Sequence, residues 1–248
     1  MIKLSRLRIK DLKYYDWAAY FERNARKKLL VEFTAENYLT EQERKLIFPS
    51  VRMFQAGEAS SGKHLMKTVE RYVRKSRDES YLEAMKWFIA EENRHSDYLT
   101  KYMEYYGVKP RKKTWLDRWF RRLRRIGGLK GEVIVLVTAE MIALSYYRAL
   151  AECTDSRVLK RICRQMLHDE LRHIVFQSYT LYRLKSSPLE ELLRICLMQM
   201  TIWAVWPELC EVLRKGGFCY WHFYRESMGY LRQSMEIAGS GEIAGGKR

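Results

Sequence analysis

The chain has 248 residues, of which 47% are hydrophobic and 31% charged. That composition supports a sizeable buried core and excludes disorder for most of the length. Four prolines and 13 glycines are few for a many-stranded sheet with tight turns, and suit long helices. The 46 Lys and Arg against 30 Asp and Glu give a formal charge of +16. This favours acidic partners, and the sign alone does not choose between nucleic acid, anionic lipid and acidic protein.

Five cysteines, with no C-x-x-C pair, read as reduced and mostly core thiols of a cytoplasmic protein. The basic start Met1–Arg6 is not followed by the apolar segment of a secretory signal. No unbroken run reaches the length of a membrane span. The closest is Ile195–Trp206, interrupted by Gln199 and Thr201, which reads as a buried helix.

The first predicted element is a basic amphipathic helix from Asp11 to about Val31 (residues 11–33 at its widest), with Trp17, Tyr20, Phe21 and Leu29 apolar. Thr40-Glu41-Gln42-Glu43 has capping-box spacing and opens a short helix. Pro49 suits the first turn of the next, which runs from about Ser50 to Arg74 with Val51, Phe54, Glu58, Leu65 and Val69 on one side. A second capping-box match, Ser76–Glu79, starts a helix that ends near Tyr106, before Gly107 and Pro110.

Residues 107–131 form one long connection containing an amphipathic helix at 115–125. Its Trp115, Leu116, Trp119, Phe120 and Leu123 fall largely opposite a set of arginines. Helices at about 132–152 and 158–184 follow, separated by the turn Thr154-Asp155-Ser156. Ser187-Pro188 caps a very apolar helix at 188–214, which Pro207 should kink. An aromatic-rich helix occupies 218–236, and 239–248 reads as a flexible tail. Two pairs of long helices with a long link between them describe an all-α four-helix bundle with one crossover, a core at about 50–184, within a single domain spanning 1–238.

The bundle is organised around two Glu-x-x-His motifs, Glu92/His95 and Glu170/His173. Residues three apart share a helix face, and here that face is the core face, shared by Met85, Phe88, Leu99 and Met103. A carboxylate and an imidazole in an apolar core need a partner. Glu58 precedes Glu92 by 34 residues, and Glu140 precedes Glu170 by 30. Each half is thus a helix with one inward Glu, a turn, and a helix with inward Glu-x-x-His. Four carboxylates and two imidazoles without thiolate suit two iron or manganese ions. In this arrangement Glu92 and Glu170 bridge the two ions, while Glu58 with His95, and Glu140 with His173, are terminal ligands. Asp169 and Glu91 each stand beside a bridging Glu, either as carboxylates that hold a metal-bound His or as solvated surface acids. His64, His168 and His222 have no spacing that selects them.

Ala90-Glu91-Glu92-Asn93-Arg94-His95-Ser96-Asp97-Tyr98-Leu99 and Asp169-Glu170-Leu171-Arg172-His173 resemble the second and fourth ligand helices of the acyl-carrier-protein desaturases. Those are soluble di-iron enzymes of the ferritin-like superfamily. The resemblance spans roughly residues 50–182 and is close only around these two segments. It implies a ferritin-like bundle with extra N- and C-terminal helices, holding two Fe ions (or Mn, or mixed Mn/Fe) with O2 as co-substrate. Electrons would come from a ferredoxin or reductase, and an acyl or other lipid-like chain would be oxidised, either free or bound to a carrier. It carries over Glu58, Glu92, His95, Glu140, Glu170 and His173 as ligands and Asp169 as a supporting carboxylate. The desaturases are longer chains, and Ala143 stands where they have a Thr.

An acidic acyl carrier protein would be drawn to the positive charge. The 115–125 helix either meets a membrane surface or packs on the bundle with its arginines in solvent. No nucleic-acid-binding motif accompanies the charge. A ferritin-like ferroxidase or peroxide scavenger, and a basic membrane- or partner-binding protein with a structural di-metal site, are the alternative functions. The apolar C-terminal helix points to a homodimer.

Overall fold

A computed structural model of the protein describes residues 4, 12–34, 36, 38–59, 62–111, 122–123, 127–185 and 187–240. The described residues are all-helical, with no strand. In chain order the helices are α1 (Tyr14–Ala25), α2 (Glu41–Glu58), α3 (Lys63–Ser76), α4 (Glu79–Tyr105), α5 (Gly128–Glu152), α6 (Arg157–Arg183), α7 (Pro188–Lys215) and α8 (Tyr220–Ser240). The 115–125 helix, apart from residues 122 and 123, and most of the tail fall outside the described residues. Residues 239 and 240, placed in the tail by the sequence pattern, are the last of α8.

The central bundle has four positions. The first is shared by α2 and α3, and α4, α5 and α6 fill the others. α1 lies along α4. α7 packs on α5 and α2, and α8 on α6, α7 and α5. One hydrophobic cluster runs through all eight helices, from Trp17 and Phe21 through Leu99, Leu144 and Phe176 to Phe223 and Ile237.

The caps follow local chemistry. The Thr40 hydroxyl accepts from the Glu43 amide at 3.2 Å, while Glu43 accepts the Thr40 amide at 3.0 Å. Ser187 and Glu190 close the same reciprocal box at the start of α7, and the Ser156 hydroxyl caps α6 through the Leu159 amide. The expected Ser76–Glu79 box does not form. Ser76 is still the last residue of α3, Arg77 takes a left-handed turn (φ 58°), and Asp78 is the N-cap of α4 without a side-chain bond.

Three other expectations are corrected. Pro49 opens no helix; it sits inside α2, and the chain breaks after Glu58 instead. The break is specified at Gly62, which has φ +60° and whose hypothetical Cβ would lie 2.6 Å from the Ile89 side chain. Any larger residue there meets both the left-handed backbone penalty and α4. The first helix stops at Ala25 rather than continuing past Val31. The segment beyond it is tied to α4 by the Leu29 amide, which donates to the Tyr98 hydroxyl at 3.0 Å.

The third concerns α7, which is not a buried helix. Leu189, Leu192, Leu193, Met200 and Trp203 are each more than half exposed, Trp203 at 74%. Among the described residues, one helix, α5, is long and apolar enough to cross a membrane, yet most of its apolar stretch is buried inside the protein. Its backbone lies close against Gly216, the C-cap of α7, where a Cβ would lie 2.5 Å from Ala149. The cysteines also divide: Cys153 and Cys163 are buried, Cys210 is partly buried, and Cys196 and Cys219 are exposed.

Candidate metal centre

The site forms where four helices present one inward stripe each. Glu58 is the final residue of α2, Glu92 and His95 share one turn of α4, Glu140 lies mid-way along α5, and Glu170 and His173 share one turn of α6. One potential ligand atom from each of Glu92, His95, Glu170 and His173 lies within 4.8 Å of the other three. His95 and His173 are fully buried, and the Glu170 and Glu140 residues are 1% and 5% exposed.

The two imidazoles have opposite edges. Each Nε2 faces outward onto a carboxylate: His95 Nε2 to Asp169 Oδ2 at 3.1 Å, and His173 Nε2 to Glu91 Oε2 at 3.3 Å. Asp169 and Glu91 are therefore the carboxylates that orient the histidines, and they do so crosswise. The acid beside Glu170 holds His95, and the acid beside Glu92 holds His173. The alternative of a solvated surface acid is excluded for both, because Glu91 is 0% and Asp169 2% exposed. Each Nδ1 faces inward. His95 Nδ1 is 3.4 Å from Glu170 Oε1 and 3.9 Å from Glu92 Oε1. His173 Nδ1 is 3.4 Å from Glu170 Oε2 and 2.9 Å from Glu92 Oε1. Glu170 thus turns one oxygen to each imidazole, and the single Glu92 Oε1 lies between them.

None of these inward contacts is aligned as a hydrogen bond. Glu92 Oε1, His95 Nδ1, both oxygens of Glu140, Glu170 Oε2 and His173 Nδ1 are buried with no hydrogen-bond partner. Unpaired buried polar atoms are scarce in folded proteins because each costs about 1–3 kcal/mol. Those on Glu92, His95, Glu170 and His173, whose ligand atoms lie within 4.8 Å of one another, need a common partner; Glu58 and Glu140 are not part of that close group and are linked to it through their electrostatics. Donor atoms bound at right angles to one cation at about 2.1 Å lie about 3 Å apart, which is the scale of the closest inward separations. The residues present fit a site for metal ions held by carboxylate and imidazole.

Electrostatics agree with that fit. Burial first, then the Glu92 and Glu170 carboxylates, push the Glu58 carboxyl well above its usual range. Burial also raises Glu140, opposed by His173 and supported by the other carboxylates. Burial alone would lower His95, but the Asp169 carboxylate bonded to its Nε2 and the Glu170 carboxylate facing its Nδ1 raise it well above the usual value. His173 is raised likewise by Glu170, Glu91 and Glu92. Burial works against the charge on Asp169 as well, yet hydrogen bonds from His168 and His95 hold it well below the carboxylate range. Without cations, protons are therefore favoured on Glu58, Glu140, His95 and His173.

The outer ring contains residues that spacing did not select. Asn24 on α1 donates through Nδ2 to both Glu91 and Asp169 Oδ1, joining the two halves from outside. Arg94 donates to Glu91 at 2.7 Å, and Gln165 to Asp169 at 3.0 and 2.9 Å. His168, read as ordinary, is half-exposed and meets Asp169 Oδ1 at 3.1 Å. The Tyr147 hydroxyl donates to Glu58 Oε1 at 3.0 Å. Signals for two of these exist in the sequence: Asn24 continues the Trp17/Phe21 core stripe, where a polar residue is unexpected, and Tyr147 lies seven residues from Glu140 on the same face. His64 stands apart, held by Glu132 at 2.9 Å, and His222 stacks on Phe218. Phe88 and Phe21 close one side of the His173 ring, at centroid separations of 4.7 and 5.9 Å.

No family model, curated protein or solved structure matches this chain.

Proposed function

We propose that this protein is a non-haem di-iron oxidoreductase that uses O2 to oxidise an acyl or other lipid-like substrate. The observation that carries the reading is the set of six buried, unpartnered donor atoms on Glu92, His95, Glu140, Glu170 and His173. Glu58, hydrogen-bonded to Tyr147, completes the ligand set. Two iron ions held there would supply oxygen activation and one-electron redox steps that no side chain of the site can provide. Asp169 and Glu91 fix both imidazoles with Nδ1 inward and increase their basicity. Asn24, Arg94 and Gln165 fix those carboxylates in turn. Tyr147 holds one Glu58 oxygen, leaving the other for the ion, while Phe21 and Phe88 keep water from the His173 side. Electrons would come from a ferredoxin or reductase. The positive charge suits an acidic donor or acyl carrier protein.

The homodimer reading is assigned to the exposed stripe Leu189, Leu193, Met200 and Trp203 on α7. A Trp203→Glu substitution should then shift the sedimentation mass to that of the monomer.

The decisive experiment is anaerobic loading with Fe(II), metal quantitation, then O2 mixing followed optically with and without acyl carrier protein or free fatty acid. Two irons per chain and a substrate-dependent optical decay support the oxidase. Equal decay with and without substrate, with continued Fe(II) consumption, would establish a ferroxidase instead. Absence of bound iron would remove both.

A further inference from the structure

Outside the metal centre, α5, α6, α7 and α8 pack into a second interior, and its most costly occupant is Arg194 on α7. The residue is 0% exposed. Its Nη2 donates to Ser234 Oγ on α8 at 2.6 Å. Nε and Nη1 have no acceptor, so at least three of the five guanidinium hydrogens are unmatched. Among the described residues, no carboxylate lies within salt-bridge distance of it. Glu191, one turn earlier, only partly opposes the effect of burial, which pulls the guanidinium down to about 10.

The neighbouring hydroxyls cannot neutralise the charge. Ser178 Oγ donates to the Ile174 carbonyl at 2.6 Å, so Ser234, 2.6 Å from it, must donate to Ser178. The chain of protons runs Arg194 to Ser234 to Ser178 to Ile174, and no acceptor is left facing the guanidinium. One layer along the antiparallel pair, Thr201 is seven residues from Arg194 and Ser227 is seven from Ser234. Both hydroxyls are buried without partners. At 1.5 Å per residue they lie about 10 Å from the Arg194–Ser234 level. At the Arg194 level the seam thus has an excess of donors and a buried cation; the buried carboxylate further along it, Glu226, is paired with Arg148.

An unpaired buried cation costs several kcal/mol. Water could satisfy its hydrogens but not its charge. Since Ser234 takes one Nη2 hydrogen, a complete two-hydrogen edge of the guanidinium remains available, the geometry that matches an oxyanion. We propose that the α7–α8 seam at Arg194 is an anion site that takes an oxyanion, carboxylate or phosphate, with Thr201 and Ser227 as further donors along the same seam. It shares no residue with the metal centre, so iron content measured on the same samples reports separately on that reading.

The test uses the full-length protein and its Arg194→Met variant, which keeps a long apolar stem without the charge. Each is denatured, and released phosphate and carboxylates are quantified. Native samples are also titrated with inorganic phosphate or dodecanoate at constant ionic strength in chloride. The expected result is about one oxyanion released per wild-type chain. If the site is empty as purified, a melting-temperature rise of about 5–10 °C is expected at hundred-fold excess over the dissociation constant. Both effects should be absent in the variant. A response to dodecanoate alone identifies a lipid carboxylate; a response to phosphate identifies a free oxyanion. The proposal is overturned if the wild type neither releases an oxyanion nor responds to one, or if the variant responds equally. Should Arg194→Met fail to fold, the wild-type release and titration decide alone.

Discussion

The half of the metal centre built by α2 and α4 and the half built by α5 and α6 carry the same residue types in different surroundings. Glu58 closes a helix and accepts a hydrogen bond from Tyr147; Glu140 sits mid-helix with both oxygens unpartnered. The Glu92 side chain is 16% exposed, against 2% for Glu170. Asp169 is held by His95, His168, Gln165 and Asn24, and Glu91 by His173, Arg94 and Asn24. The pseudo-two-fold motif is therefore broken in a consistent direction. The α2–α4 half is nearer solvent and its first helix ends at Glu58, while the α5–α6 half is more deeply buried. Two ions in such a frame would not be equivalent, and the more accessible one is the natural point of entry.

The largest effect that would break this comparison is removal of the carboxylate common to both halves. Glu170→Ala should reduce bound iron from two per chain to near zero with far-UV circular dichroism unchanged, because each of its oxygens faces a different imidazole. Next comes Glu140→Ala, expected to lower iron stoichiometry towards one and to slow O2 consumption while the chain remains helical. Unchanged iron content in that variant would sink the assignment of Glu140. Tyr147→Phe, on α5 but bonded to Glu58 of the other half, should keep both ions and weaken only the Glu58 half.

A smaller effect is expected from the outer carboxylates. Asp169→Asn should cost about 10–100-fold in metal affinity. Asn24→Ala, which touches both halves only through Glu91 and Asp169, should cost less and affect both ions alike in competition titrations with a chelator. If Asn24→Ala removed one ion selectively, its bridging role would be wrong.

Protonation offers a further handle. Glu58, Glu140, His95 and His173 are all raised in the folded, metal-free state. The folded chain then binds more protons at these groups than the unfolded chain. Their contribution to stability is complete below the unfolded values and is lost as pH rises through the folded ones. Asp169 and Glu170 are lowered, so their contribution is lost instead as pH falls through their folded values. Metal binding must displace protons from the four raised groups. Metal affinity should therefore rise with pH, with net proton release detectable by calorimetry in buffers of different ionisation enthalpy. Thermal melting of the metal-free protein should fall with rising pH from the ordinary carboxylate range upward, and the loaded protein should not follow it. The smallest effect is structural: Gly62→Ala should destabilise the chain by about 1–3 kcal/mol by equilibrium unfolding, with its influence on metal content confined to Glu58.

The amino-acid sequence by itself determined the helical class, the long elements and the two Glu-x-x-His pairs that come together, Glu92 with His95 and Glu170 with His173. Those follow from local rules: a 3.6-residue period places Glu92 with His95 and Glu170 with His173 on one face, and side-chain caps at Thr40 and Ser187 mark helix starts. It did not determine where the first bundle helix breaks, because Pro49 is tolerated within α2 and the break depends on Gly62 meeting Ile89 from another helix. Nor did local rules decide between solvated and buried for Glu91 and Asp169, since the partner that claims each lies some 80 residues away, at His173 and His95. Asn24, exposed Trp203 and the unpaired charge of Arg194 have the same cause. Their environments are set by which helices pack together, and only the tertiary structure supplies the neighbours that decide whether a polar group is bonded, hydrated or left to bind something else.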